Sequence, residues 1–264
     1  MAPNSYFTHK MELLKKSFFK ILRFAGIFAI IYASLLFYML LSERRLAFPR
    51  AEADKAAEDI LRDEAVMCIT DDGKRLQGWI LNDSLPNTVL YFADGGEDAA
   101  TFLANTKGSL AFRFVAFNYR GSAGSEGNPG ETHYKSDIRA MIGCAHAENP
   151  LFLGHGTGSI AAYNSLTQGL GQAAILVDPA ESFNSSLSSR YRIFFPAFLG
   201  RTRAKMDFQN ATTAPAIIIA NDPRKKENLQ KLLENHAGKF KVVERKGQNF
   251  LEVLRAELSG MITK

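Results

Sequence analysis

The chain is short of residues that staple a fold or ligate a metal, with two cysteines and five histidines among 264 residues. Two cysteines set no disulfide framework, and a domain of this length does not need one. Cys68 falls in an apolar strand-like run and Cys144 in a helix-like run, so both read as buried thiols. That reading leaves the redox compartment open. A broad basic surface is lacking too. The net charge is +5, but Lys10, Lys15, Lys16, Lys20 and Arg23 against Glu12 place four of those five charges within residues 1–23. The near-neutral remainder has no electrostatic footprint for a phosphate backbone, which excludes nucleic acid as a partner. Internal repeats and low-complexity tracts are absent, and the composition is that of a globular protein.

One stretch lacks charge entirely. From Phe24 to Leu41 the sequence reads FAGIFAIIYASLLFYMLL. This reaches the length needed to cross a hydrocarbon core, and Ile21 and Leu22 extend it past Arg23, which can snorkel. A cleaved signal peptide is the competing reading. Its apolar region would be unusually long, and the nearest small-x-small site, Ala51-Glu52-Ala53, lies well beyond the run. An uncleaved anchor is therefore expected. Five Lys/Arg precede the span, and Arg44, Arg45, Arg50 and Lys55 follow it, so the positive-inside rule leans only slightly towards a cytoplasmic N-terminus. The segment from Thr8 to Arg23 also fits an organelle-targeting helix, although Arg and Ser are few; organelle and bacterial inner membranes both stay open. The expected organisation is a basic flank over 1–20, a transmembrane anchor over 21–42 and one domain over 43–264.

Within the domain, a helix-like stretch over 51–63 precedes a β-hairpin, with runs 65–70 and 76–81 flanking Asp71-Asp72-Gly73. Short apolar runs then recur at 88–92, 112–117, 151–153, 173–177, 216–220 and 240–244. Helix-length segments such as 135–147, 158–167 and 226–236 separate most of them. Strands apolar throughout, alternating with helices, predict a mostly parallel α/β sheet covered on both faces. Ligands and reactive groups in such sheets gather at the carboxyl ends of the strands. The insert over 183–209, rich in Ser, Phe and Arg, breaks the rhythm and is expected to form a lid or a docking surface.

Two of the loops carry a resemblance. Gly154-His155-Gly156-Thr157-Gly158 follows a strand and opens a helix, and it resembles the G-x-S-x-G nucleophile elbow of the α/β-hydrolases. Asn118-Tyr119-Arg120-Gly121-Ser122-Ala123-Gly124-Ser125-Glu126-Gly127 resembles the D-Y-R-G-x-G-x-S-x-G stretch of the same superfamily. Arg44-Arg45 after an N-terminal span resembles the membrane-anchored branch related to lysophospholipases and serine-aminopeptidase-like hydrolases. The resemblance implies an α/β-hydrolase-like fold from about Arg44 onward and a serine-hydrolase triad.

Against that pattern the reactive groups are missing. Gly156 stands where the nucleophile belongs, with Thr157 and Ser159 as the nearby hydroxyls. Gln248, in Lys246-Gly247-Gln248, stands where the resemblance places the histidine, and an amide cannot serve as general base. Asp222 keeps the acid position, but an Asp before Pro is also an ordinary turn residue; Asp178 is a second unpaired acid. The other histidines, His133, His146, His155 and His236, read as structural or surface residues. The loop that should stabilise an oxyanion reads Asp94-Gly95-Gly96-Glu97-Asp98, and carboxylates there oppose that role. The expected protein is a catalytically inactive, membrane-anchored module with a protein partner in or at the bilayer. The alternatives are a divergent esterase, lipase or peptidase using Thr157 or Ser159, and a lipid-binding sensor. For the sensor, Asp94, Gly95 and Thr157 are the candidate ligand positions, since a helix start offers N–H groups to an anion. No cofactor is implied. A metal at Asp94, Glu97 and Asp98 is a weaker reading than a solvated turn, and G-x-G-x-G late in the chain does not match a dinucleotide fingerprint.

Overall fold

The computed structural model describes residues 4–210, 212–236 and 238–262. Residues 1–3 of the basic flank and the last two residues of the domain lie outside that range. Helix α1 (Asn4–Leu41) takes in the rest of the flank and the apolar run as one continuous helix. Its part from Leu14 to Leu41 is long and apolar enough to cross a membrane, and it packs little against the domain.

The domain is built on eight strands: β1 (Ala65–Ile69), β2 (Arg75–Leu81), β3 (Thr88–Phe92), β4 (Arg113–Phe117), β5 (Leu151–His155), β6 (Ala173–Val177), β7 (Ala216–Ala220) and β8 (Lys241–Glu244). They form one sheet in the order β1-β2-β4-β3-β5-β6-β7-β8. The β1–β2 hairpin and the β2–β4 pair are antiparallel, and all other neighbours are parallel. The strands expected from apolar runs are all present within a residue or two. The helix expected over 51–63 is shorter, as α3 (Lys55–Ile60), capped by the Asp54 side chain.

Both faces of the sheet are covered, as uninterrupted apolar strands require. Val89, Tyr91, Leu151, Leu153 and Ile175 pack under α3, α4 (Ala99–Thr106) and α9 (Phe250–Ile262). The alternate residues Leu90, Phe92, Phe152, Ala174 and Leu176 pack with α5 (Glu131–Cys144), α6 (Gly158–Thr167), α7 (Phe183–Tyr191) and α8 (Lys226–Asn235). This is the two-residue alternation of a strand buried on both sides.

One expectation is overturned. Cys68 and Cys144 are not free thiols but a disulfide joining β1 to α5, with Cα atoms 5.6 Å apart. The two residues lie 76 positions apart, and sequence periodicity says nothing about which residues meet across that distance. Arg120 reinforces the same junction. It is buried, donates from Nε and Nη2 to Asp137 of α5 at 2.8 and 2.6 Å, and from Nη1 and Nη2 to Asp72 in the β1–β2 turn, both at 2.7 Å. The Arg of the Tyr-Arg-Gly stretch is thus a structural tie. Paired bidentate geometry is what makes a buried guanidinium tolerable.

The N-terminal helix does not reach the domain through a loose linker. Glu43 in α2 (Glu43–Ala47) is only 4% exposed, and its Oε1 accepts from Arg201 N, Thr202 N and Thr202 Oγ1 at 2.6, 2.7 and 2.9 Å. Arg44 Nε donates to Pro129 O, Arg50 Nη2 to Asn128 Oδ1, and the backbone of Ala51 pairs with Ser122 Oγ and Ala123 N. Removing the carboxylate would strand three donors, two of them backbone amides, so Glu43→Ala should cost about 2 kcal/mol. Guanidinium or thermal unfolding of the purified protein checks this.

Candidate functional site

The sheet order reverses at β3, which has β4 on one side and β5 on the other. Phe92 pairs with Gly154, so the loops after β3 and β5 leave the sheet side by side. That crevice is where open α/β sheets place their ligands. It brings Asp94 and Gly95 against Gly156 and Thr157.

The bend after β5 has the geometry expected of a nucleophile elbow. Gly156 sits at its tip with φ +53°, a left-handed conformation that costs a side-chain-bearing residue about 1–2 kcal/mol. A Cβ on Gly158 would overlap the carbonyl oxygens of Phe92 and Ala93, so helix α6 can cross this close to β3 only without a side chain there.

What fills the turn was not expected. A Cβ on Gly156 would overlap the carboxylate of Asp94. Asp94 Oδ1 accepts from Thr157 N at 2.8 Å, from Gly95 N at 2.8 Å and from Thr157 Oγ1 at 2.9 Å. The amide after the nucleophile position and an amide from the loop after β3 are the two donors that make an oxyanion hole. Here both point at an anion that the chain itself supplies. Burial pushes the Asp94 carboxyl up, but the Thr157 amide, Lys225 and His155 outweigh it and hold it below the usual carboxylate range. Lys225 Nζ lies 3.5 Å from Asp94 Oδ2.

The other carboxylates of this loop do not face the hole together, contrary to the expectation of a repulsive or solvated acidic turn. Glu97 accepts from Tyr91 Oη at 2.7 Å and from Asp94 N at 3.0 Å, and its Oε2 contacts His155 Nδ1 at 2.7 Å. Burial alone would lower the His155 pKa, but the Glu97 contact wins and raises it. Asp98 is buried, caps α4 at Ala100 N, and accepts from Asn118 Nδ2 and Asp54 N. Among the described residues no group of His, Cys, Asp and Glu could hold a metal ion.

The remaining candidates are accounted for one by one. Ser159 is fully buried and its hydroxyl donates to Gly154 O at 2.9 Å. Thr157 is buried and engaged with Asp94 as above. Asp222 caps the turn after β7, accepting from Arg224 N at 2.9 Å and from the Arg224 guanidinium. The Arg224 pairing lowers its pKa to about 2. Asp178 is buried after β6, where its carboxylate accepts the amides of Asn221 and Asp222 and so fixes that same turn. Gln248 is exposed in the loop before α9, its backbone bonded to Arg245. His236 stacks on Phe208, with Nε2 3.7 Å from Glu181.

Little space is left over the elbow. The strap from α2 lies across it: Pro49 sits within 3.3 Å of where a Gly95 Cβ would be, and Ala47 and Phe48 pack towards Phe183 and Tyr134. The two cavities that touch Thr157 have volumes of about 30 and 10 Å³. Each has room for at most a water or two, whereas small-molecule sites run to hundreds of Å³. Sequence reasoning identified the elbow but not its occupant. The one available signal was an Asp in the loop after β3 together with a glycine at the tip of the bend after β5.

No family model matches the sequence, and no curated protein matches it. Solved structures do. An esterase of Pyrococcus furiosus superposes with a TM-score of 0.57 at 14% identity, over 81% of this chain and 96% of that one. A proline iminopeptidase-related protein of Thermus thermophilus gives 0.57 at 15%, over 76% and 98%. An α/β hydrolase of Sphaerobacter thermophilus gives 0.53 at 10%, over 75% and 100%. With the strand order and the sharp turn after β5, these likenesses establish that residues beyond the N-terminal helix have the α/β-hydrolase fold.

Proposed function

We propose that this protein is a membrane-anchored pseudohydrolase: an α/β-hydrolase fold that has lost catalysis and serves as an interaction module, an accessory subunit of a membrane complex. The observation that carries the reading is the Asp94 carboxylate seated on the Thr157 and Gly95 amides, beside a glycine where a nucleophile would stand. Transition-state stabilisation by an oxyanion hole needs donors free to meet developing charge. Donors already committed to a carboxylate offer none, and Gln248 in place of a histidine leaves no base. The degenerate set is therefore Gly156, Asp222 and Gln248. The anion-sensor alternative loses support for the same reason, because the helix N-terminus already has its anion.

A divergent esterase is the second reading, favoured by neighbours that are described as esterases. It would need the Thr157 hydroxyl as nucleophile and Asp94 as base. A carboxylate held below its ordinary pKa is a weak base, and Thr157 is buried. A fluorophosphonate probe applied to the purified full chain separates the two. We expect no covalent label above a heat-denatured control, and a stoichiometric adduct on Thr157 or Ser159 would establish the esterase instead. Co-purification from gently solubilised membranes then identifies the partner.

The Cys68–Cys144 disulfide supports a location for the domain. Such bonds persist in oxidising compartments and are rare in the cytosol. A domain on the non-cytoplasmic side also agrees with the basic flank before the span.

A further inference from the structure

The insert between α7 and β7 carries an exposed apolar tip. Ile193 is 66% exposed and Phe198 84%, and Phe194 is exposed beside them. In sequence the tip is flanked by arginines: the run from Arg190 to Arg203 reads RYRIFFPAFLGRTR. Arg190, Arg192, Arg201 and Arg203 are all exposed. Aromatic and aliphatic side chains ringed by arginines are the composition of a surface that beds into a bilayer interface, apolar side inward and guanidinium groups among the headgroups.

The contact with α1 fixes the depth. Tyr32 Oη donates to Ile193 O at 2.7 Å. The uncharged run from Phe24 to Leu41 is about 27 Å long as a helix, just enough to fill a hydrocarbon core of roughly 30 Å. Lys20 and Arg23 mark its near edge. Tyr32 then stands close to the middle, about 14 Å from the end at Leu41. Helical side chains lean towards the N-terminus, so the hydroxyl is not reaching back towards the domain. A backbone atom bonded to Tyr32 lies alongside the apolar run, below the level of Leu41.

Non-helical backbone at such depth must have its polar groups satisfied internally. Ile193 O has the Tyr32 hydroxyl, and Pro196 has no N–H to satisfy. Two short 3-10 turns, Arg192–Phe194 and Ala197–Leu199, close with Phe195 N donating to Arg192 O and Leu199 N to Pro196 O. These bonds satisfy part of the segment's backbone polar groups.

We propose that Ile193–Leu199 is a second membrane element, buried in the leaflet on the domain's side and docked against α1. The inference rests on α1 being a transmembrane anchor. The full chain, reconstituted in vesicles of phosphatidylcholine with phosphatidylglycerol, is irradiated with a phospholipid bearing a diazirine midway along its acyl chain, then digested with trypsin. Cleavage after lysine and arginine releases the anchor as Phe24–Arg44 and the tip as Ile193–Arg201. Both should be labelled, and a Phe194→Asp/Phe198→Asp variant should lose the label on the tip at least about tenfold, because carboxylates are strongly disfavoured in hydrocarbon. Label on Phe24–Arg44 with none on Ile193–Arg201 overturns the inference and leaves the anchor standing. No label on either overturns the anchor as well. Tip labelling unchanged in the variant also overturns the inference, since the label would not then depend on buried aromatic rings.

Discussion

Replacing Gly156 by serine, the change that writes a nucleophile back into the elbow, should unfold the protein more readily and restore no activity. The new Cβ would lie in the space of the Asp94 carboxylate. The carboxylate must move, giving up hydrogen bonds to Thr157 N, Gly95 N and Thr157 Oγ1. The Thr157 amide is left without its partner, while Gly95 N keeps the Thr157 hydroxyl. Adding the left-handed strain at the tip, the total comes to about 3 kcal/mol, or about 6–12 °C in Tm for a domain of this size. The companion substitution reverses the sign. In Gly156→Ser/Asp94→Gly the serine has room, and most of the Tm should return, so the two changes are strongly non-additive. Equal Tm values for Gly156→Ser and the parent would mean that Asp94 does not occupy the elbow. Gly156→Ser with Gln248→His should stay inactive towards p-nitrophenyl esters while Asp94 remains.

Opening the Cys68–Cys144 bond is expected to have a comparable effect. It closes a loop of 76 residues, for which chain-entropy arguments give about 4 kcal/mol, with typical measured losses of about 2–4 kcal/mol. Cys68→Ser/Cys144→Ser, unfolded in denaturant beside the parent, should lose that amount. The parent in dithiothreitol should match the variant. Non-reducing treatment of intact membranes with a maleimide-polyethylene glycol should leave the native chain unshifted until reductant is added. A two-step shift without reductant would mean free thiols, and would move the domain to the reducing side of the membrane.

The sheet was readable from the sequence because its strands are apolar on both faces and separated by helix-length segments. Thr88–Phe92, Ala173–Val177 and Ala216–Ala220 match their apolar runs residue for residue. The elbow was readable because glycines at 154, 156 and 158 recur at a fixed two-residue spacing between a strand and a helix, a pattern visible within five residues. The disulfide and the plug were not readable for the opposite reason. Cys68 meets Cys144, and Asp94 meets Thr157, only after the chain crosses the sheet, and neither pair leaves a local pattern. The acidic loop misled in a particular way. Asp94, Glu97 and Asp98 look alike in sequence, yet one binds amides, one a histidine and one a helix terminus and an asparagine.

The nine residues between the end of α1 and Ala51 carry a mechanical consequence. With Glu43, Arg44, Arg50 and Ala51 all bonded into the domain, the joint has no swivel. With α1 spanning a bilayer, as proposed above, a body carried on such a stem would keep one height and one tilt relative to it, however the whole molecule turns in the plane.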